Sequence, residues 1–384
     1  MGKVGISWQI GSGFGWGVLG INFALELIRT WNARPVLFEA SGDLNLKAKD
    51  RSDIKKCLNG YGFLEKQRKN NPENPPVVDF PIFYCGGNQF QHNIQVLSSK
   101  DRRSIVFFEN THFDKKMTEA GKLFTRIYAG SKWNAEILRS RGFERVIPWA
   151  QGIDLEMFSP RGTILPRSDK FRIYSGGKLE FRKGQDITLE AFKKFHQKYP
   201  DSELIVAWDS PWPILAMSMA RSKYVKAPAL DLNQKYNLEK WMLSEGMPEN
   251  SFQNIGSLSN YKMPELMRSC DVGLFPNRAE GGTNLVAMES IACGLPCILS
   301  NNTGHKDLLE EVDCYSLEEQ KKVSPLNEKD GTEGWGESSI EEIFSQLEFA
   351  YNNRDLNKEK GLNAAKKIQR WSWFNKVGEL VNDL

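Results

Sequence analysis

One alternation, run twice along the chain, constrains the fold most. Short apolar runs bounded by turn residues are separated by stretches with helical spacing, and the pattern restarts near residue 171. In the first half the runs are Val4–Trp8, Val36–Glu39, Val77–Tyr84, Ile105–Phe108, Ile127–Ala129 and Val146–Ile147. Between the first two, Val18, Ile21, Leu25 and Ile28 keep a helical period, with Leu19, Phe23 and Leu27 widening the face. Ser131 caps a second helix, Lys132–Arg141, and Gly142 stops it. In the second half Phe171–Ser175, Leu204–Trp208, Val272–Phe275 and Cys297–Leu299 read as strands. Asp186–Tyr199, Tyr261–Ser269, Thr283–Cys293 and Trp371–Leu384 read as helices, and the polar stretch 316–337 as a loop. Strands joined through helices pair in parallel. The sequence therefore predicts two α/β units with a cleft between them and a switch near Phe158-Ser159-Pro160.

Other classes are disfavoured. A chain of 384 residues fits about two domains. No stretch of 18 residues stays apolar and the mean hydropathy is -0.48, so no membrane span is expected. The start, MGKVGISWQI, lacks a signal-peptide core, and Ile6 stands where a myristoylation signal wants Ser or Thr. Six scattered cysteines make no disulfide framework and suit buried thiols in a cytoplasmic protein. The four histidines, at 92, 112, 196 and 305, have no zinc-site spacing, and Asp-x-Asp occurs nowhere; no metal or other cofactor is expected.

The net charge of +3 hides an asymmetry. Residues 1–160 carry 22 Lys and Arg against 16 Asp and Glu. The excess includes Lys47, Lys49, Arg51, Lys55, Lys56, Lys66, Arg68 and Lys69. It reads as a solvated helix face or as a surface for something anionic, such as a phospholipid membrane or an acidic glycan. Nucleic acid is not an expected partner, because no aromatic platform or recognition motif accompanies the charge.

Ligands of parallel sheets bind beyond the carboxyl ends of the strands, and three loops there carry chemistry. The first is Gly11-Ser12-Gly13-Phe14-Gly15-Trp16-Gly17, between a strand and a helix, where backbone can approach an anion. Gly15-x-Gly17-x-x-Gly20, with Glu39 ending the next strand, also matches a dinucleotide fingerprint, although Gln9 to Phe14 separate it from the strand. The second is Gly176-Gly177-Lys178-Leu179-Glu180-Phe181-Arg182-Lys183-Gly184. Its cations stand before a helix N-terminus and suit a diphosphate, unless they only solvate a turn. The third runs from Glu280 through Gly281, Gly282, Thr283, Asn284 and Leu285 to Glu289. Glu289 lies on the apolar stripe of Leu285, Met288 and Ala292 and needs a donor, either ribose hydroxyls or a core lysine.

These residues resemble the retaining glycosyltransferases of family four, which have the GT-B fold of two Rossmann-like domains facing each other across a cleft. Tyr174–Gly184 is similar to the family's Gly-Arg-Leu…Lys-Gly motif. Cys270–Pro276 followed by Glu280…Glu289–Pro296 resembles its acidic signature, with eight residues rather than seven between the glutamates. Tyr128–Asn134 and Ile147-Pro148 through Gly152-Ile153-Asp154 to Phe158-Ser159-Pro160 resemble the end of its first domain.

The resemblance implies an acceptor domain over 1–160, joined by the helix 371–384, and a donor domain over 161–370. It implies a hexosyltransferase that moves a sugar from a nucleotide-diphosphate donor to a glycan, lipid-linked or small-molecule hydroxyl. Lys183 would bind the diphosphate, Lys178 stands where arginine is usual, and Arg182 shares the task. Glu289 would hold the ribose. Glu280 would face the sugar, helped by the amides of Gly281 to Asn284. Gly13 and Gly15 would approach the phosphates from the other domain, and His112 the sugar, with His305, after another strand in the 161–370 domain, a further candidate. The cations would do the work of a metal. The alternatives are an NAD-dependent oxidoreductase using the Gly15 fingerprint and a non-catalytic binder of the same fold.

Overall fold

The computed structural model describes residues 2–384 apart from 71–73, 75, 91–96, 163–168, 211 and 257, so His92 lies outside the described residues. The chain divides into two units. The first is Met1–Gly152 with Asn327–Gly331 and Trp371–Leu384; the second is Ile153–Leu326 with Thr332–Arg370.

In the first unit the strands are β1 (Lys3–Ile6), β2 (Arg34–Leu37), β3 (Val77–Val78), β4 (Ile82–Gly86), β5 (Ser98–Ser99), β6 (Arg102–Val106), β7 (Arg126–Ala129) and β8 (Val146–Pro148). Six of them form one sheet in the order β2-β1-β4-β6-β7-β8, parallel throughout. The helices are α1 (Gly15–Arg29), α2 (Ala48–Lys56), α3 (Asn59–Asn70), α4 (Lys115–Gly121) and α5 (Lys132–Ser140). The apolar face of α1, with Leu19, Phe23 and Leu27 buried, meets Ile6, Phe83 and Tyr128 in one core. The run Val77–Tyr84, expected as one strand, divides at Pro81 into β3 and β4, because Pro81 has no N–H to donate to a ladder. The basic stretch 48–70 forms α2 and α3 over the edge strand β2, where Leu37 N donates to Cys57 O at 2.9 Å.

In the second unit the strands are β9 (Phe171–Gly176), β10 (Ser202–Ala207), β11 (Phe252–Asn254), β12 (Val272–Phe275), β13 (Cys297–Ser300), β14 (Tyr315–Leu317), β15 (Gln320–Lys322) and β16 (Gly336–Ser338). The sheet order is β11-β10-β9-β12-β13-β14, again parallel. Helices α6 (Gln185–Lys198), α7 (Leu238–Ser244), α8 (Met263–Arg268), α9 (Leu285–Ala292), α10 (His305–Glu311), α11 (Ile340–Asn352) and α12 (Arg354–Lys367) complete it. The stretch 316–337, expected as a loop, instead contains the end of β14 and the antiparallel pair β15–β16. Polar side chains hold that pair. Asn302 Nδ2 donates to Gln320 Oε1 at 2.8 Å and Gln320 Nε2 to Ser338 Oγ at 2.9 Å, so no apolar alternation marks it.

The last helix, α13 (Trp373–Asn382), belongs to the first unit, where Val377 and Leu380 join the core of α1. Trp149 Nε1 donates to Lys376 O at 2.9 Å, and a Cβ on Gly152 would stand 2.6 Å from the Trp373 ring. Trp373→Ala is expected to destabilise the first unit by about 3–5 kcal/mol. Hydrogen exchange should show amides of β1 and α1 losing protection while those of β9, β12 and β13 keep theirs; uniform loss would contradict this division.

Candidate active site

In the second sheet the strand order reverses between β9 and β12, and the crevice at such a switch lies outside the carboxyl ends of the two strands. The loops that leave those ends are residues 177–184 and 276–284, two of the three loops that the sequence singles out.

Backbone constraints set the first loop. Gly177 has φ +116° and the aliphatic stem of Lys183 passes 3.6 Å from where its Cβ would be. Phe181–Lys183 make one 3-10 turn, and Gly184, at φ +72°, ends it and caps α6. A Cβ there would lie 2.2 Å from Pro276 O, so only glycine fits. Buried Gln185 stitches the loop, donating to Lys178 O at 2.7 Å and accepting from Glu180 N at 3.3 Å.

Arg278 ties this loop to the second. It is wholly buried. Its Nη1 and Nη2 donate to Asp186 at 2.8 and 2.7 Å, its Nε and Nη2 to Glu337 at 3.1 and 2.8 Å, and its Nη1 to Phe181 O at 2.6 Å. The guanidinium lies 3.8 Å from the Phe181 ring centroid, and Arg278 N donates to Arg182 O at 2.7 Å. Five donors thus meet acceptors from the 3-10 turn, the start of α6 and the strand β16.

The fastened loops bring together Lys183, Arg182 and Glu280. Buried Glu280 accepts from Lys183 Nζ and Asn277 Nδ2, and Arg182 Nη1 stands 3.4 Å away. Burial alone would raise its pKa, but the Lys183 and Arg182 charges beside it hold it down at about 2. Arg182 also donates from Nε to Glu180 at 3.0 Å and from Nη1 to Ala279 O at 3.3 Å. Lys178 Nζ lies 5.2 Å from the Trp212 ring centroid.

The backbone of Glu280 is fixed too, its N–H donating to Thr303 Oγ1 at 2.8 Å and its carbonyl accepting from Gly304 N at 3.0 Å. Gly281, Gly282 and Thr283 then lead to Asn284, at φ +60°, which caps α9. Asn284 Nδ2 lies 3.0 Å from His305 Nε2, and Ser300 Oγ 2.9 Å from His305 Nδ1. Because an amide NH2 only donates, Nε2 accepts and Nδ1 carries the proton. Burial holds the imidazole at about 4, so it is neutral and orients Asn284.

Half-buried Leu285 and Glu289 lie on α9. Among the described residues no side chain or amide donates to the Glu289 carboxylate. Burial pushes it up to about 8, with Asp154 adding to the rise. Among the described residues no lysine pairs with it, so the core-lysine partner considered from sequence is not found there. Nearby, the buried Tyr174 hydroxyl has no hydrogen-bond partner among the described residues, and its oxygen lies 2.5 Å from where a Cβ on Gly176 would be.

The first unit has its own switch between β1 and β4. Around Gly13 and Gly15 there is open space for a Cβ, so packing does not demand glycine at either position. Gly17 and Gly20 do need it, since a Cβ would stand 2.2 Å from Gly11 O and 2.5 Å from Ile10 Cγ2. Gly15, Gly17 and Gly20 all lie within α1, so the fingerprint does not form the tight turn after a strand that a dinucleotide requires. His112 follows β6. Its N–H donates to Asn110 Oδ1 at 2.9 Å and its carbonyl accepts from Asn88 Nδ2 at 2.9 Å.

Sequence reasoning missed Arg278, Asp186, Asn277, Thr303 and Ser300. Nothing in the sequence marks Arg278 and Asp186 as a pair, since the two are 92 positions apart. Arg278→Met leaves Asp186 buried without its guanidinium and is expected to lower stability by about 3–5 kcal/mol in urea unfolding. Glu289 has the opposite behaviour. Between the ordinary value of 4.5 and about 8 the folded chain keeps a proton that the unfolded chain has lost, so this group's contribution to stability falls as pH rises through that window. Glu289→Gln should therefore unfold at higher temperature than the parent at pH 8 and at the same temperature at pH 4. Equal unfolding temperatures at pH 8 would contradict the burial argument.

Residues 161–329 match the family model described as glycosyl transferases group 1. No curated protein sequence matches the chain. HepE of Anabaena, solved in complex with UDP and glucose, superposes with a TM-score of 0.65 at 15% identity over 100% of both chains. Sucrose-phosphate synthase from Thermosynechococcus elongatus gives 0.64 at 12% identity, covering 100% of this chain and 98% of that one. A glycosyltransferase from Rickettsia africae gives 0.63 at 12% identity, covering 99% and 97%. The chain has the GT-B fold of these structures, with two Rossmann-like units, and its residues 161–329 are similar to glycosyl transferases group 1.

Proposed function

We propose that the chain moves a hexose from a nucleotide-diphosphate sugar to a hydroxyl acceptor, with retention and without a metal. The observation that carries this reading is the pair of carboxylates at the second unit's switch point, one held charged by Lys183 and one to which none of the described residues donates. Support for a nucleotide-sugar comes from HepE, solved with UDP and glucose, and from the family match of residues 161–329.

The roles follow from charge. Lys183 Nζ has three N–H bonds, and one to Glu280 leaves others for a diphosphate oxygen. Arg182 and the positive end of α9, at Gly281 to Asn284, add to the field around the leaving group. Lys178 lies on the same loop. Glu289 accepts from the two ribose hydroxyls, which replace its missing donors. Glu280, kept ionised, faces the sugar ring as positive charge develops there. The bond from the anomeric carbon to the phosphate oxygen breaks, and its electron pair stays on that oxygen. The acceptor oxygen bonds to the same face, and its proton passes to the departing phosphate.

A panel of nucleotide sugars scored for binding and turnover tests this. Lys183→Ala is expected to lower turnover by roughly 10²–10³-fold. Nucleotide binding at pH 7 should release protons from Glu289, because ribose donors favour its charged form; calorimetry in two buffers of different ionisation enthalpy reads this, and Glu289→Gln should abolish it. Binding without turnover for every donor would leave a binder only, and NAD binding without nucleotide-sugar binding would overturn the reading.

A further inference from the structure

The first unit holds a cavity of about 300 Å³ that the sugar-transfer reading does not use. It lies against β2, the edge strand, and under α3. Its walls are Val36, Phe38, Phe63, Val78 and Phe80, with Phe38 and Phe80 stacked at 6.3 Å, and buried Cys57 also lines it. Gly60 lets α3 approach this closely, since a Cβ there would stand 2.6 Å from Val36 Cγ1. Three exposed cations, Lys3, Arg34 and Lys56, line it as well. Among the described residues no carboxylate pairs with Lys3 or Arg34, while Lys56 meets Asp53 at 3.1 Å.

Its place in the sheet separates it from the loops of the first unit's switch. Lys3 and Arg34 are the first residues of β1 and β2 and are paired in register. The loop Gly11–Gly17 and His112 instead follow the carboxyl ends of β1 and β6.

An apolar slot with cations at its mouth fits one kind of guest, an acyl chain ending in an anionic group. The volume is at the lower end of ligand cavities, roughly 300–1,000 Å³, so it admits one chain. The surroundings favour a lipid surface as the source. Lys47, Lys49, Arg51, Lys55, Lys66 and Lys69 on and beside α2 and α3 are exposed, as are Tyr61 and Phe63. We propose that this cavity takes an acyl chain of an anionic membrane phospholipid, with Lys3, Arg34 and Lys56 on the head group. The site explains why the basic excess of the first half surrounds exposed aromatic rings, and it is independent of the sugar-transfer chemistry.

Cys57 gives a local readout. Its alkylation by N-ethylmaleimide, followed by peptide mass spectrometry, separates it from the other five cysteines. Phosphatidylglycerol vesicles are expected to slow it roughly tenfold when lipid is at ten times its dissociation constant, and phosphatidylcholine vesicles are not. The combined variant Lys3→Glu, Arg34→Glu, Lys56→Glu should lose that protection while its circular dichroism stays that of the parent. Pelleting with phosphatidylglycerol without protection of Cys57 would reduce the contact to surface charge and overturn the proposal. So would protection by phosphatidylcholine, or by monomeric dodecanoate alone, which would make the guest a soluble amphiphile. Neither pelleting nor protection would remove the site altogether.

Discussion

The buried guanidinium of Arg278 is the constraint on which the donor-side geometry depends. It has no exposed surface, so each of its N–H groups must find a protein acceptor. Those acceptors come from Phe181 and Asp186, on the 3-10 turn and the helix that follows it, and from Glu337, about 150 residues further along on β16. Satisfying them locks the 3-10 turn that carries Lys183 against the segment that carries Glu280. A buried ion pair is weak evidence for extra stability, yet breaking one by removing a single partner is strongly destabilising. The locked arrangement puts a lysine onto a buried glutamate.

Two carboxylates nine positions apart then behave in opposite ways. Glu280 is buried among cations and is held at about 2. Glu289, on α9, is pushed to about 8 by burial, with the Asp154 charge adding to the rise. Surroundings that drive like groups apart are what acid, base and electrostatic roles require. In the transfer proposed above, the charged one stabilises the cationic sugar ring and the other gains its donors from the ribose.

Much of the fold was legible because it rests on apolar periodicity. The strands β1, β9, β12 and β13 and the helices α1, α6 and α9 carry buried runs or stripes that declare themselves. The pair β15–β16 did not, since amide side chains such as Gln320 and Asn302 hold it. The helices α11 and α12 were not read either; α12 has Lys and Asn spread round it, and packs through small residues such as Gly361 and Ala364. At the site, Lys183, Glu280 and Glu289 were visible because glycines and helix starts frame them. Arg278 was not, because a buried arginine is recognisable only once Asp186 and Glu337 are seen converging on it.

The account stands most directly on where a nucleotide diphosphate sits. A crystal structure of the chain with a nucleotide-sugar donor, or with the diphosphate product, measures this. The diphosphate is expected against Lys183 Nζ and the start of α9, with both ribose hydroxyls on the Glu289 carboxylate. A nucleotide bound elsewhere, with Glu289 still lacking a donor, would contradict it.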